Sequence, residues 1–195
     1  PWNLERTTGG SSGGEAAAIA AGLSPLGVAS DVGGSIRMPS HYCGLVGFKP
    51  THGRVPLTGH WPETLLRAQH VGPMARTVRD AALALRLMSG PDGIDHECIP
   101  VDRPTIPASA AKPLKLRVGW LADGAFAPVD PGVQATVRKA AAALESAGCS
   151  IEHIALPVLE ENIPLVAHTS TMGDGHVLTR FSVEYAWSPD GTKVV

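Results

Sequence analysis

Gly9-Gly10-Ser11-Ser12-Gly13-Gly14-Glu15-Ala16-Ala17-Ala18-Ile19-Ala20-Ala21-Gly22, followed closely by Leu26-Gly27-Val28-Ala29-Ser30-Asp31-Val32-Gly33-Gly34-Ser35-Ile36-Arg37, decides how this chain folds. The first block is a Gly-rich turn that runs into a helix-forming stretch from Glu15. Leu26 to Ser30 reads as a strand, and a second Gly-rich turn follows it. A turn, helix, strand and turn in that order return both turns to one end of a sheet, where α/β proteins build their sites. Glycines set among Ile19, Leu23, Leu26, Val28, Leu45, Val46 and Phe48 mark sharp turns or close approaches, whereas a flexible linker would lack the apolar residues.

The second turn has chemical potential of its own. Successive backbone N–H groups at Val32, Gly33, Gly34 and Ser35, carrying little side-chain bulk, can form a concave nest of donors for a developing oxyanion. A serine at the end of such a nest is placed to attack a carbonyl whose oxygen sits in it. Asp31 and Arg37 flank the turn and can lock its backbone through charge-assisted hydrogen bonds. Two other readings stand beside this one: bland structural turns, and an anion site at a helix N-terminus. Glu15 stands where a Walker-type loop needs lysine, which weakens the phosphate reading. Gly10-Ser11-Ser12-Gly13-Gly14 also fits the G-x-S-x-G elbow of α/β-hydrolases, but Asn3 to Thr8 is too polar to be the buried strand that such an elbow requires.

Further along, Val78, Ala81, Ala82, Leu85 and Met88 recur at helical spacing, with Thr77 and Asp80 as a capping pair and Gly90-Pro91 as the stop. Gly59 to Val71 has no clear period and reads as a loop. Asp92 to Pro113, with Pro100, Pro104, Pro107 and Pro113, reads as a surface connection. Leu116 to Leu121 is a strand candidate. Asp130 and Pro131 open a helix that runs to Ala147, Gly148 follows it, and Ser150 to Leu156 alternates as a second strand. This βαβ pattern predicts parallel pairing. A helix across Ile163 to Tyr185 is the expectation for the last zone, with Gly173 and Gly175 against it.

Composition narrows the function classes. The 195 residues carry 16 basic and 18 acidic side chains, a net charge of −2, so no polyanion-binding surface and no nucleic-acid partner is expected. The longest weakly polar run, Ala16 to Ala29, is too short and interrupted to span a bilayer, and no membrane association or signal peptide is expected. Cys43, Cys98 and Cys149 are widely spaced without a CxxC pair, as befits free thiols in a reducing, cytoplasmic setting. The eight histidines form no HxxxH or HExxH pair, so no metal site is expected.

The two serine motifs, GGSSGGEAAAIAAG and DVGGSIRMPSHYCGLVGFKPTHGRVP, resemble the amidase-signature family in order and spacing. The likeness runs from Asn3 to Pro56, resumes over Gly72 to Ala82 (GPMARTVRDAA) and fades after Asp95. It implies an α/β fold with a mixed central β-sheet and helices on both faces, incomplete in this chain. It also implies a single domain over 1–195: a signature core (1–90), a Pro-rich connection (91–113) and a βαβ and following region (114–195). In such enzymes a Ser–cis-Ser–Lys set cleaves an amide to acid plus amine or ammonia, without a cofactor. By motif, Ser35 is similar to the acylated nucleophile and Ser11 to the bridging serine whose preceding peptide, from Gly10, is cis. The amides of Val32, Gly33, Gly34 and Ser35 correspond to the oxyanion hole, with Ser12, Asp31 and Arg37 in support.

The family's lysine lies well upstream of GGSSGG, and no lysine precedes Ser11 here. Lys49 matches another family position and is read as structural. The catalytic lysine is therefore expected outside this chain, which reads as a portion of a longer protein. The expected substrate is a small amide, bordered by a loop containing His60, Trp61, Leu65 and Leu66 unless those residues serve surface packing. The alternatives are a glutamine-hydrolysing subunit of an amidotransferase and a catalytically incomplete fragment. A homodimer is one assembly open to the chain.

Overall fold

The structure is a computed structural model. It describes residues 3–61, 68–100, 102, 115–122 and 129–154, and the backbone of 167–171 and 177–181. The chain divides into two compact units, Pro1–Ile106 and Pro107–Val195, with the boundary inside the expected Pro-rich connection.

In the first unit, helix α1 (Gly13–Ala20) leads to strand β1 (Leu26–Asp31), and α2 (Arg37–Cys43) follows the second Gly-rich turn. Strands β2 (Val46–Gly47) and β3 (His70–Ala75) and helix α3 (Val78–Met88) complete it. The sheet has the order β1-β3-β2 and is antiparallel throughout, with Leu26 opposite Ala75 and Asp31 opposite His70. One face of β1, namely Gly27, Ala29 and Asp31, is buried while Leu26 and Val28 are exposed. Ala16, Ile19, Ala29, Ile36 and Met74 form the core, with Cys43 and Leu45 packed against it. Small residues let α1 lie close to the sheet, and of the large apolar residues between the glycines Ile19 is fully buried in the core. Leu23 remains 83% exposed and Val28 59%.

The loop expected over Gly59 to Val71 is corrected at its end, because His70 and Val71 open β3, the central strand. Gly72-Pro73 hides that strand, since both residues ordinarily interrupt one. Each has a local reason here. A Cβ on Gly72 would overlap the Phe48 carbonyl oxygen. Pro73 lies just past the two residues through which β3 pairs with β2, and its own carbonyl accepts from Phe48 N at 3.0 Å.

Helix α3 starts as the sequence predicts. Thr77 Oγ1 accepts from Asp80 N at 3.1 Å, and the Asp80 carboxylate accepts from the Thr77 hydroxyl at 2.7 Å. Helix α1 has no basic residue in its last turn. Arg76 supplies one from the end of β3: its Nη1 donates to Ile19 O and to Ser24 O, both at 3.0 Å. Positive charge at carbonyls left without a helical partner is stabilising. Arg76→Ala should lower stability by about 1–2 kcal/mol, read from the midpoint of denaturant unfolding. An unchanged midpoint would show that the clamp contributes nothing.

The second unit contains β4 (Arg117–Trp120), α4 (Pro131–Ser146) and β5 (Ser150–His153). Asp130 caps α4, accepting from Gly132 N at 2.7 Å, and Pro131 occupies its first turn. Strands β4 and β5 pair in parallel, as the βαβ pattern predicts, and place the Trp120 and His153 rings edge to face at 4.8 Å. The helix expected across Ile163 to Tyr185 is corrected to an antiparallel pair, β6 (Ala167–Thr171) with β7 (Val177–Phe181). Thr169, Thr171, Val177 and Thr179 are β-branched, and Gly173 and Gly175 lie between the strands in sequence, a pattern that favours strands over helix. Among the described residues the parallel and antiparallel pairings thus sit in separate sheets. Leu65, Leu66, Leu156 and the connection from 103 to 114 lie outside the described residues.

Candidate active site

Asp31 ends β1 with its side chain fully buried. Its Oδ1 accepts from Gly34 N at 2.7 Å, and its Oδ2 from Ile36 N and Arg37 N at 3.0 and 3.2 Å. The Arg37 guanidinium adds a bidentate pair, Nε to Oδ2 at 3.0 Å and Nη2 to Oδ1 at 2.9 Å. One carboxylate therefore folds the 31–37 segment around itself. It also supplies the anionic cap that the N-terminus of α2 lacks locally, since Ile36 makes no side-chain cap. Burial alone would raise the Asp31 pKa, but the Arg37, Gly34 and Ile36 hydrogen bonds and the Arg37 charge outweigh it and hold the carboxyl down at about 2.

Gly34 has φ +114°, a conformation that side chains rarely adopt, so the reversal after β1 depends on glycine there. Its amide corrects one sequence expectation. Among the four proposed oxyanion donors, Gly34 N–H is already given to Asp31. Val32, Gly33 and Ser35 are the amides of the turn that Asp31 does not engage. The space beside Gly33 and Gly10 is open, with no atom within 4 Å of an added Cβ at either.

The two serine turns meet. Ser12 N donates to Ser35 O at 3.3 Å, and Ser12 Oγ donates to Ser30 O at 3.4 Å at the end of β1. Ser12 thus spends its hydroxyl on β1 and makes no side-chain cap for α1. Ser11 is exposed, Ser35 is half-buried, and the Gly10–Ser11 peptide is cis, as the resemblance implies. A cavity of about 560 Å³ lies against α2, between residues 3–8 and His41, Tyr42 and Cys43. Neither Ser11 nor Ser35 lines it. Trp61 is 85% exposed.

One contact has no counterpart in the sequence pattern. His70, buried at the start of β3, places Nδ1 3.3 Å from the backbone oxygen of Asp31. Its ring lies edge-on to His52 at 5.6 Å, and His52 Nε2 sits 3.0 Å from Glu97 Oε2. Only the β1–β3 register brings His70 to Asp31, so the signal would have been the hidden strand. Among the described residues, no three His, Cys, Asp or Glu side chains are grouped to hold a metal, and no helix is long and apolar enough to cross a membrane. Cys43 and Cys98 are free thiols.

A Ser-bearing turn with amides that Asp31 does not engage is thus joined to a second serine turn at the end of β1. The Amidase family model matches residues 1–195, and the chain belongs to that family. It is 42% identical over 168 residues to a glutamyl-tRNA(Gln) amidotransferase subunit from Roseiflexus castenholzii, covering 85% of this chain and 34% of that protein. Among solved structures it resembles a bacterial aryl acylamidase of the amidase-signature family (TM-score 0.71, 35% identity, 79% of this chain and 32% of the other). It also resembles 6-aminohexanoate cyclic dimer hydrolase (TM-score 0.68, 36% identity, 83% and 35%). The chain spans about a third of the length of the relatives it matches.

Proposed function

We propose that the chain carries the nucleophile half of an amidohydrolase site, with Ser35 as the acylated residue and Ser11 as its proton relay. The observation that carries this reading is the Ser12 N–H to Ser35 O hydrogen bond, which holds the two serine turns against each other at the end of β1. In this reading Ser35 Oγ attacks the amide carbonyl, whose oxygen is received by the Val32, Gly33 and Ser35 amides. A serine hydroxyl needs a base to be nucleophilic at neutral pH. The proton passes through Ser11 to an uncharged lysine contributed by sequence outside these 195 residues, then to the leaving nitrogen. The amine or ammonia departs, and water cleaves the acyl-enzyme by the reverse relay. The two units are then parts of one domain, and three widely spaced cysteines without a CxxC pair favour a cytoplasmic setting.

A fluorophosphonate probe tests the assignment. In the longer protein that also supplies the lysine, stoichiometric labelling of Ser35 by mass spectrometry is expected, with complete loss in Ser35→Ala and a rate lower by about 10²-fold in Ser11→Ala. A folded, lysine-bearing protein that takes no label would refute Ser35 as the nucleophile. A second reading, favoured by the relatives named as amidotransferase subunits, is glutamine hydrolysis in an assembly with partner subunits. Release of ammonia from glutamine in preference to cleavage of aryl amides distinguishes it.

A further inference from the structure

The contact between His70 and Asp31 bears on the amide that follows Asp31. A carbonyl oxygen can only accept, so the 3.3 Å approach of Nδ1 to Asp31 O makes Nδ1 the protonated ring nitrogen. The Asp31 carbonyl and the Val32 N–H belong to one planar peptide unit. In a trans peptide the two groups point in opposite directions, so pinning the oxygen on the β3 side fixes where the N–H points. A donor on the carbonyl also polarises the unit and strengthens its N–H as a donor. The ring is held from behind. His70 is 5% exposed, sits at a defined register opposite Asp31, and abuts the His52 ring, which Glu97 engages at 3.0 Å. Asp31 is therefore fixed twice, by its carboxylate to Gly34, Ile36 and Arg37 and by its carbonyl to His70.

We propose that His70 is a positioning residue for Ser35 chemistry: through the Nδ1–H to Asp31 O hydrogen bond it orients the Asp31–Val32 peptide and aims the Val32 N–H at the substrate oxyanion. This rests on the reading of Val32 as an oxyanion donor. The His52 ring, engaged by Glu97, packs edge-on against the imidazole and restricts its orientation.

The test uses the longer protein that also supplies the lysine, and separates the hydrogen bond from the chemistry. Long-range ¹H–¹⁵N spectra of the unmodified protein should show His70 as the Nδ1–H tautomer; an Nε2–H tautomer would overturn the proposal without any variant. In His70→Phe the Val32 amide should exchange with solvent about tenfold faster, and fluorophosphonate labelling of Ser35 should slow by a similar factor. His70→Asn, whose side-chain N–H sits at the same remove from the backbone as Nδ1, should restore both to within about threefold, a rescue that a packing role would not give. Circular dichroism and α3 amide exchange check that each variant keeps the fold of the first unit. Unchanged Val32 exchange in His70→Phe, or equal disturbance in the Phe and Asn variants, would refute the role. Labelling absent from the parent protein would instead refute the Ser35 assignment, and the positioning of Val32 toward chemistry with it, while tautomer and exchange still decide the hydrogen bond.

Discussion

Asp31→Ala should destabilise the first unit by about 3 kcal/mol or more and leave Ser35 without measurable labelling. The carboxylate is fully buried and accepts from three amides and two guanidinium nitrogens. Its removal strands the Gly34 and Ile36 amides at once. Arg37, whose side chain is 40% exposed, can return to water, which keeps the cost toward the low end for a buried ion pair. Asp31→Asn is the sharper variant, because it keeps the volume but replaces one accepting oxygen with an NH₂ that opposes its donors. Acid titration supplies an independent readout. The carboxyl sits at about 2 against an ordinary 3.8. A depressed folded-state value means that its stabilisation, about 2 kcal/mol, is present above pH 4 and fades as pH falls from about 4 to about 2. Denaturant midpoints across that window should fall in the parent and stay comparatively flat in Asp31→Asn. Parallel profiles would show that the carboxylate contributes no charge-dependent stability.

Gly72→Ala should be as damaging through geometry alone. The added methyl would overlap the Phe48 carbonyl oxygen, lie 2.8 Å from Pro50 Cδ, and press on Ile36 Cδ1 at 3.1 Å. Phe48 contributes backbone at that point, so relief requires moving the chain after β2 or the centre of β3. Overpacking of this kind costs about 1–3 kcal/mol when side chains alone yield, and a backbone clash beneath the core residue Ile36 should exceed about 3 kcal/mol or prevent folding. Gly14→Ala is the internal control. Its Cβ meets nothing within 4 Å and it lies in α1, so the substitution should raise stability by up to about 1 kcal/mol. Thermal melts of the two proteins should move in opposite directions. A Gly72→Ala protein that melts with the parent would mean that β3 does not pass against the Phe48 carbonyl as described.

These two positions also mark where the sequence is readable. Asp31 stands out because a charged residue beside Gly33-Gly34 and six residues before its partner has a local, short-range job. The same locality makes α1, β1, α3 and α4 legible through period, caps and stops. Gly72 is unreadable for the opposite reason. It is a glycine because of Phe48 and Pro50, which approach from elsewhere in the chain, and alone it looks like a breaker. The engagement of Gly34 N–H by Asp31 is equally hidden, because a run of small residues predicts available amides without saying which the fold has already used. His70 lacks any local motif, and its meaning comes from lying opposite Asp31 in β3. The 163–185 zone carries only a weak helical pattern, and its threonines and valines favour the β6–β7 pair.

Strand order has a consequence for how this protein is made. Ser11 and Ser35 both precede β3, which among the described residues is the strand that pairs with β1, in a register from His70 to Ala75. The carbonyls at the end of α1 wait one residue longer, for Arg76. A nascent chain emerging from the ribosome therefore carries both Gly-rich turns for about 35 residues of translation before β3 can lie beside β1. They acquire the support of β3 and Arg76 only when both have left the exit tunnel, so the serines are made before the elements that align them.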